Sequence, residues 1–284
     1  CREMSEALSE VENFAFGMAC APVFTILLQP TLYLKHARMQ GLPLSFNPHV
    51  LWRGTATSIY NETGQAGLQF LTTGVFKKLI IGGASRQLTP LEDVSAAAAA
   101  GVVSALYVSP VELLMIQQQR FGGSLVDTGR RMYSAIGLGA FARGYLATAL
   151  RDAVYVVGMM SATPLLEDRL IKSGVGATTG SLVGSCTAGL LAGTLSCPFD
   201  CIKACMKGDV ERRKYGGFWE TGRHLWRTGG AARLFHGVEW RCANLSGCFF
   251  VVTLARRAVE PLLPIDYTGF GLGDFSAGLT PKVA

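Results

Sequence analysis

Six long segments of this sequence carry almost no charge, and they constrain its fold more than any other feature. They span residues 13–34, 55–76, 94–119, 145–166, 178–202 and 242–255. Most are close to the roughly 20 residues that a helix needs to cross the hydrocarbon core of a bilayer. They are too long for strands and lack the alternation of a half-buried strand. The sequence therefore predicts an all-α membrane protein with six transmembrane helices.

Composition agrees with a membrane protein and argues against an ordinary soluble enzyme. Only 16% of the 284 residues are charged, whereas soluble domains carry about 25%. The sequence contains no P-loop, metalloprotease motif or nucleophile elbow. We therefore expect neither catalytic activity nor a nucleic-acid partner.

The cysteines offer two interpretations, because Cys197, Cys201 and Cys205 share one face of a helix. One is a metal or redox site, and the other is a face of small residues that packs closely. We favour packing, because no histidine lies near in sequence to complete a tetrahedral site. No bound metal is therefore expected.

Basic residues are concentrated in the three loops that follow the first, third and fifth segments. These loops, 35–53, 115–143 and 203–241, hold 16 of the 26 Lys and Arg residues but only five of the Asp and Glu residues. The positive-inside rule places such loops on the inner side of the membrane and both termini on the outer side. The net charge of +6 then reflects membrane orientation.

The same three segments end in related sequences, which indicates an internal repeat. They read QPTLYLK at 29–35, SPVELLM at 109–115 and CPFDCIK at 197–203, with prolines at Pro30, Pro110 and Pro198. Each basic loop then ends in an aromatic residue, a basic residue and a glycine. These residues are Trp52, Arg53 and Gly54; Phe141, Arg143 and Gly144; and Phe235, His236 and Gly237. A unit of two helices therefore occurs three times.

Three such units, each with a Pro-x-acid-x-x-base pattern or its remnant between two helices, resemble the mitochondrial carrier family over nearly the whole chain. The resemblance implies six transmembrane helices in three pseudo-symmetric two-helix repeats, with short helices in the matrix loops. It divides the chain into carrier repeats at 1–91, 92–177 and 178–284, the last including a C-terminal tail. It also implies the mitochondrial inner membrane, with both termini toward the intermembrane space.

In that family the acid of each repeat pairs with the base of the next repeat and closes the matrix side. The matching pairs in this chain are Leu32–Met115, Glu112–Lys203 and Asp200–Lys35. Two ion pairs are thus retained, and the third has become apolar on both sides. Loss of one partner would leave an unpaired buried charge, whereas replacement of both is often neutral. We interpret the three pairs as a matrix gate that still closes.

The opposite end departs from the family, which has an aromatic-acid-x-x-base pattern near the outer end of each even helix. The aligned positions read Thr73-Gly74-x-x-Lys77, Thr163-Pro164-x-x-Glu167 and Arg256-Arg257-x-x-Glu260. No copy has the acid followed by the base, and the third has the signs reversed. The family's outer ion pairs are therefore not expected here, although a carrier opens alternately to each side.

The family's substrate-contact positions lie seven residues after each loop-end glycine. Here they are Asn61, Arg151 and Asn244, with Asp152 beside Arg151. An Arg–acid pair resembles amino-acid-type carriers, in which Arg would hold a carboxylate and Asp an amine, and intramembrane charges commonly mark function. The alternative is that Arg151 and Asp152 pair with other helices and stabilise the bundle. Glu62 is also charged inside a span and has no assigned role.

The loop-end glycines suggest a lipid site. Free N–H groups at a helix start, next to a basic residue, suit a phosphate, and the family binds cardiolipin headgroups at such positions. The predicted lipid-binding residues are Trp52, Arg53, Gly54, Arg143, Gly144, His236 and Gly237. No other cofactor is expected.

Two functional hypotheses follow. The first is an inner-membrane solute carrier for a small polar, amino-acid-like substrate. The second is a carrier-fold protein that does not transport and serves as a structural subunit of a larger assembly, such as a respiratory-chain complex or ATP synthase. The six-helix repeat, the two matrix ion pairs and the Arg151–Asp152 pair favour the first hypothesis, which we prefer. The altered outer end, the changed contact residues and the tail that follows Glu260 favour the second. A transporter needs two alternating gates, whereas a scaffold needs one bundle that stays shut.

Overall fold

The computed structural model describes residues 2–82 and 88–259, which form helices joined by short connections. The helices are α1 (Arg2–Gln40), α2 (Pro48–Leu51), α3 (Thr55–Ile81), α4 (Pro90–Phe121), α5 (Leu125–Ile136), α6 (Tyr145–Val157), α7 (Thr163–Lys172), α8 (Ala177–Gly208), α9 (Phe218–Leu234) and α10 (Val238–Val259). A 3-10 turn, Leu138–Ala142, precedes α6, and a π-helical segment, Gly158–Ala162, joins α6 to α7. These two ranges contain no strand, and the predicted all-α fold is confirmed.

The long helices form a closed ring of three hairpins. α1 pairs with α3, α4 with α6, and α8 with α10. Each hairpin packs against the next, and α1 packs against α10, so the ring closes. The short helices α2, α5 and α9 lie in the three basic loops, at what is called here the loop end of the bundle. The opposite end, where α1 begins and where α3 connects to α4, is called the terminal end.

The loop-end glycines have a conformational cause. Gly54, Gly144 and Gly237 have φ angles of 76°, 78° and 87°. This left-handed region is open to glycine but costly for residues with a Cβ. Each glycine turns the chain from a loop into the helix that follows it, which explains why the sequence repeats it.

Glycines also allow close contacts between helices. A Cβ added to Gly101 of α4 would lie 2.6 Å from the backbone of Asp152 in α6. A Cβ added to Gly189 of α8 would lie 2.8 Å from the backbone of Ser246 in α10. Small residues at these positions let the helix backbones approach each other, as in other membrane bundles.

The proline positions agree with the repeat, since Pro30, Pro110 and Pro198 lie inside α1, α4 and α8. The sixth segment is longer than the sequence indicated, because α10 extends over Val238–Val259. Glu260 and the C-terminal tail lie outside the described residues, as do the side chains of Arg256 and Arg257.

By length and hydropathy, two of the described helices could cross a membrane, Pro90–Phe121 and Thr179–Gly208. Helix α3 is long enough, but a stripe of buried polar side chains at four-residue spacing lowers its mean hydropathy. The stripe comprises Thr57, Asn61, Gln65, Gln69, Thr73 and Lys77. Its large exposed side chains are mainly apolar and include Leu71, Val75 and Leu79. The helix is therefore polar toward the bundle interior and apolar outside.

An apolar layer fills the bundle between its middle and the terminal end. Its core consists of Phe24 from α1, Phe70 from α3, Tyr155 from α6 and Phe249 from α10. Alanines of α4 and α8 complete the layer. All six long helical segments of the ring thus contribute to one apolar cluster. The buried charged residues described below lie between this cluster and the loop end.

Candidate functional site: a buried ion network and two cavities

Glu112 of α4 is one centre of a buried ion network near the loop end. Its carboxylate lies 2.6 Å from Lys203 Nζ, 2.8 Å from Lys207 Nζ and 3.3 Å from Arg151 Nη2. Lys203 and Lys207 belong to α8 and Arg151 belongs to α6. The Glu112 side chain is 3% exposed and both lysines are fully buried, so these contacts form at low dielectric, where they are strong.

Asp200 of α8 is the second centre. Its carboxylate lies 3.2 Å from Lys35 Nζ, 2.5 Å from Lys203 Nζ and 3.1 Å from Arg241 Nη1. Lys203 therefore bridges Asp200 and Glu112. The network joins α1, α4, α6, α8 and α10, and it contains both ion pairs that the repeat pattern matched.

The third matched pair is also in contact, without charge. Leu32 and Met115 pack together with Ile116 in a small apolar cluster. The hydroxyl of Ser58 on α3 donates to Met115 Sδ at 3.1 Å. The two apolar replacements therefore meet where an ion pair would otherwise connect α1 to α4.

Two members of the network, Lys207 and Arg241, were missed by the sequence interpretation, which counted them among loop charges. The missed signal was spacing, because Lys207 lies one helical turn beyond Lys203 and Arg241 lies one turn before Asn244, which lines the same cavity. Residues three or four apart share a helix face. Both side chains therefore point inward with the neighbouring network residues.

The four predicted substrate-contact residues have different surroundings. Arg151 is held from two sides, with its Nε 3.0 Å from Asp152 Oδ1 in addition to its contact with Glu112. Asp152 is fully buried and also accepts from Gln65 Nε2 at 3.5 Å. Asn244 donates to Thr31 Oγ1 at 3.1 Å. The Arg151–Glu112 contact is of the bundle-stabilising kind that the alternative interpretation proposed.

A charged cavity lies between the ion network and the apolar layer. Side chains of both signs line it: Lys35, Glu62, Glu112, Arg151, Arg241 and the neutral Asn244. A second cavity adjoins it within the apolar layer and shares Glu62, Gln65, Phe24 and Tyr155 with it. Of the predicted contact residues, Arg151 and Asn244 line the charged cavity, whereas Asn61 and Asp152 line neither cavity.

An ion pair joins α3 to α4 toward the terminal end, where the sequence pattern indicated none of the family type. Lys77 Nζ of α3 lies 2.6 Å from Asp93 Oδ1 of α4. Ser161 of the π-helical segment donates to Asp93 Oδ2 at 2.6 Å. The sequence comparison missed this pair because Asp93 lies on an odd helix, outside the aligned pattern.

The predicted lipid-binding residues differ in accessibility. Trp52 is 44% exposed and Arg53 is also exposed. Arg143 is buried, and its guanidinium donates to the backbone carbonyl oxygens of Tyr215, Met206 and Gly216. Burial and the neighbouring Arg233 lower the pKa of His236. Lipid binding by these residues stays a prediction, and Arg143 would have to release its carbonyl partners to take part.

A closed ring of long helices, with intramembrane charges gathered around an interior cavity, defines the class of helical membrane transporters. The family model described as mitochondrial carrier protein matches residues 86–174 and 176–259, more than half of the chain. The chain therefore belongs to the mitochondrial carrier family. Members of this family are transporters of the mitochondrial inner membrane rather than enzymes. No curated protein sequence matches the chain.

Proposed function

We propose that this chain is a mitochondrial inner-membrane carrier for a small polar, amino-acid-like solute. The observation that carries the proposal is the charged cavity, which is lined by the basic residues Arg151, Lys35 and Arg241 and by the acidic Glu62. Binding sites combine apolar walls with a few convergent polar groups. A ligand with both a carboxylate and an ammonium group matches the charges of this lining.

We further propose that the loop end is the matrix side and that the network is the matrix gate. The pairs Lys35–Asp200 and Glu112–Lys203, together with the Leu32–Met115 contact, hold α1, α4 and α8 together there. The basic loops would then face the matrix and the termini the intermembrane space.

The geometry supports a way for substrate to weaken this gate. Arg151 Nη2 contacts Glu112 across the α4–α6 interface, and the same guanidinium borders the cavity. A substrate carboxylate at Arg151 would compete with Glu112 for it. A ligand shifts a conformational equilibrium only by its differential affinity for the two states, and this competition supplies such a difference.

Uptake into cardiolipin-containing proteoliposomes tests the proposal, with the twenty common α-amino acids as radiolabelled probes. Arg151→Ala is expected to lower uptake of the preferred probe at least about tenfold, because a lost charge-assisted contact costs about 1.5–3 kcal/mol and the gate is also disturbed. Arg223→Ala is the matched control, since Arg223 is exposed on α9. Thermal unfolding of both variants establishes that they fold. No uptake by the wild-type protein, or full uptake by Arg151→Ala, would reject the proposal.

A second candidate function is a non-transporting structural subunit, and the apolar layer favours it. Phe24, Phe70, Tyr155 and Phe249 occupy the interior toward the terminal end, while the ion network closes the loop end. A bundle shut at both ends suits a scaffold. Native electrophoresis of gently solubilised mitochondria separates the two: a small species favours a carrier, and stoichiometric co-migration with a respiratory-chain complex or ATP synthase favours a subunit.

Bound cardiolipin is proposed for the loop-end glycines. Exposed Trp52 and Arg53 precede Gly54, whose turn presents the first N–H groups of α3. These features suit a lipid phosphate. Mass spectrometry of the purified protein should detect cardiolipin, and Arg53→Ala should reduce the amount that remains bound.

A further inference from the structure

Glu62 is the acidic residue that borders both interior cavities. It lines the charged cavity together with Arg151, and it lines the adjoining cavity together with Gln69 and Phe70. Its carboxylate accepts a long hydrogen bond from Asn61 Nδ2 at 3.4 Å. Among the side chains that the structure describes, no basic one lies within 4.0 Å of its carboxylate, and those that line the charged cavity pair with Asp200 and Glu112 instead. Its charge therefore faces the cavities uncompensated by direct contact.

Asp152, the acid that the family resemblance assigns to a substrate amine, is placed differently. Its Oδ1 is engaged by Arg151 and Gln65. Its second oxygen, Oδ2, has no partner, but the residue is fully buried and lines neither cavity. Its backbone packs directly against Gly101 of α4. Asp152 is thus positioned to orient Arg151 rather than to contact a ligand.

Two glutamines extend the polar surface beside Glu62. Gln65 and Gln69 follow it by three and seven residues, so they lie on the same side of α3. Both are 2% exposed, and Gln65 Oε1 and Gln69 Nε2 have no hydrogen-bond partner. Buried polar atoms are nearly always paired. Two unpaired atoms that line a cavity beside a carboxylate indicate a place where a polar ligand group binds.

Aromatic side chains line the same cavities as Glu62 and Gln65. Phe24 and Tyr155 line both cavities, and the faces of aromatic rings attract cations. A carboxylate, an amide oxygen and aromatic side chains together suit an ammonium group, which can donate up to three hydrogen bonds.

We infer that Glu62 holds the ammonium group of the substrate, with Gln65 Oε1 as a second acceptor. The inference rests on the proposed function and names a specificity-determining residue within its site. The substrate carboxylate then faces Arg151 and Arg241 across the charged cavity. An otherwise identical acid without the amine would leave Glu62 without a cation, so the site selects α-amino acids over their deaminated analogues.

The test compares uptake of the preferred α-amino acid with uptake of the carboxylic acid that lacks its α-amino group. Glu62→Gln keeps the side-chain shape and removes the charge. It is expected to lower the preference for the amino acid at least about tenfold, which corresponds to about 1.4 kcal/mol. Glu62→Asp keeps the charge and is expected to retain part of the preference. Glu211→Gln, at an exposed ion pair with Arg213, is the matched control and should change nothing.

The outcomes separate this inference from the proposed function. If the wild-type protein takes up no amino acid, the proposed function fails and the inference fails with it. If the wild-type protein shows the preference and Glu62→Gln keeps it, the inference alone is overturned. Loss of the preference in Asp152→Asn instead would assign the amine to Asp152. A purely structural role of Glu62 would lower the unfolding temperature and leave the ratio of the two uptake rates unchanged, which also overturns the inference.

Discussion

Replacing Glu112 with glutamine should destabilise this bundle strongly, because its carboxylate is shared by three buried cations. Lys203 would retain Asp200, and Arg151 would retain Asp152. Lys207 would be left with the hydroxyl of Thr148 at 2.8 Å. Removing one partner of a buried ion pair costs about 3–5 kcal/mol, and we expect a loss in this range for Glu112→Gln.

The double variant Glu112→Gln/Lys207→Met tests whether the lost stability comes from the unpaired ammonium group of Lys207. It removes the carboxylate together with the cation that depends on it most. Replacement of both partners by uncharged groups is often close to neutral, so the double variant should recover a large part of the lost stability. Residues in direct contact commonly show such coupling, of about 0.5–3 kcal/mol.

Unfolding in detergent can be followed with a dye that fluoresces on reaction with thiols. Cys197, Cys201, Cys205 and Cys248 are buried and react only when the bundle opens. Asp168→Asn is the control, because the Lys172–Asp168 pair on α7 is exposed and such pairs contribute about 0.2–1 kcal/mol. A Glu112→Gln variant as stable as this control, or a double variant less stable than Glu112→Gln, would refute the reasoning.

Three further predictions concern other parts of the chain. Leu32→Glu should lower stability by about 3–5 kcal/mol by burying an unpaired charge, and adding Met115→Lys should restore part of it in thermal unfolding. Gly101→Ala should cost about 1–3 kcal/mol, because its Cβ would meet the Asp152 backbone at 2.6 Å; an unchanged unfolding temperature would contradict the observed helix contact. Burial alone would raise the pKa of Asp209, but three backbone N–H groups that donate to its carboxylate lower it. Its stabilisation is therefore present above the unfolded-state pKa of about 3.9 and lost as the pH falls through the lower folded-state pKa. The stability difference between wild type and Asp209→Asn should thus be about 1 kcal/mol at pH 7 and vanish in acid, and a difference independent of pH would exclude this origin.

Much of the site could be predicted from the repeat pattern. The three phased prolines identify α1, α4 and α8 as equivalent helices, and counting from them brings Glu112 to Lys203 and Asp200 to Lys35. The structure has both contacts, at 2.6 and 3.2 Å. The paired loss of charge at Leu32 and Met115 likewise predicted their contact. Counting from the prolines brings these residues together because a repeat converts spacing along the chain into proximity in the bundle.

Other parts of the site do not follow the repeat. Lys207, Arg241 and Asp93, the partner of Lys77, have no counterpart at the aligned family positions. The polar stripe of α3, with Gln65 and Gln69, could have been found from its four-residue spacing. The mean hydropathy of α3 does not reveal this stripe, because an average over the helix does not separate its polar inner face from its apolar outer face.

The sequence by itself determined the helices, their order and their three-fold repetition. The length of an apolar segment, the position of a proline and the left-handed conformation of a glycine act on the local backbone, so they do not depend on contacts with distant parts of the chain. Only the tertiary structure decided which charges meet. Arg151 contacts a carboxylate 39 residues away and Lys207 contacts the same carboxylate from 95 residues away. Whether Asp152 or Glu62 borders a cavity depends on the rotation of α6 and α3 within the ring, which packing against neighbouring helices sets.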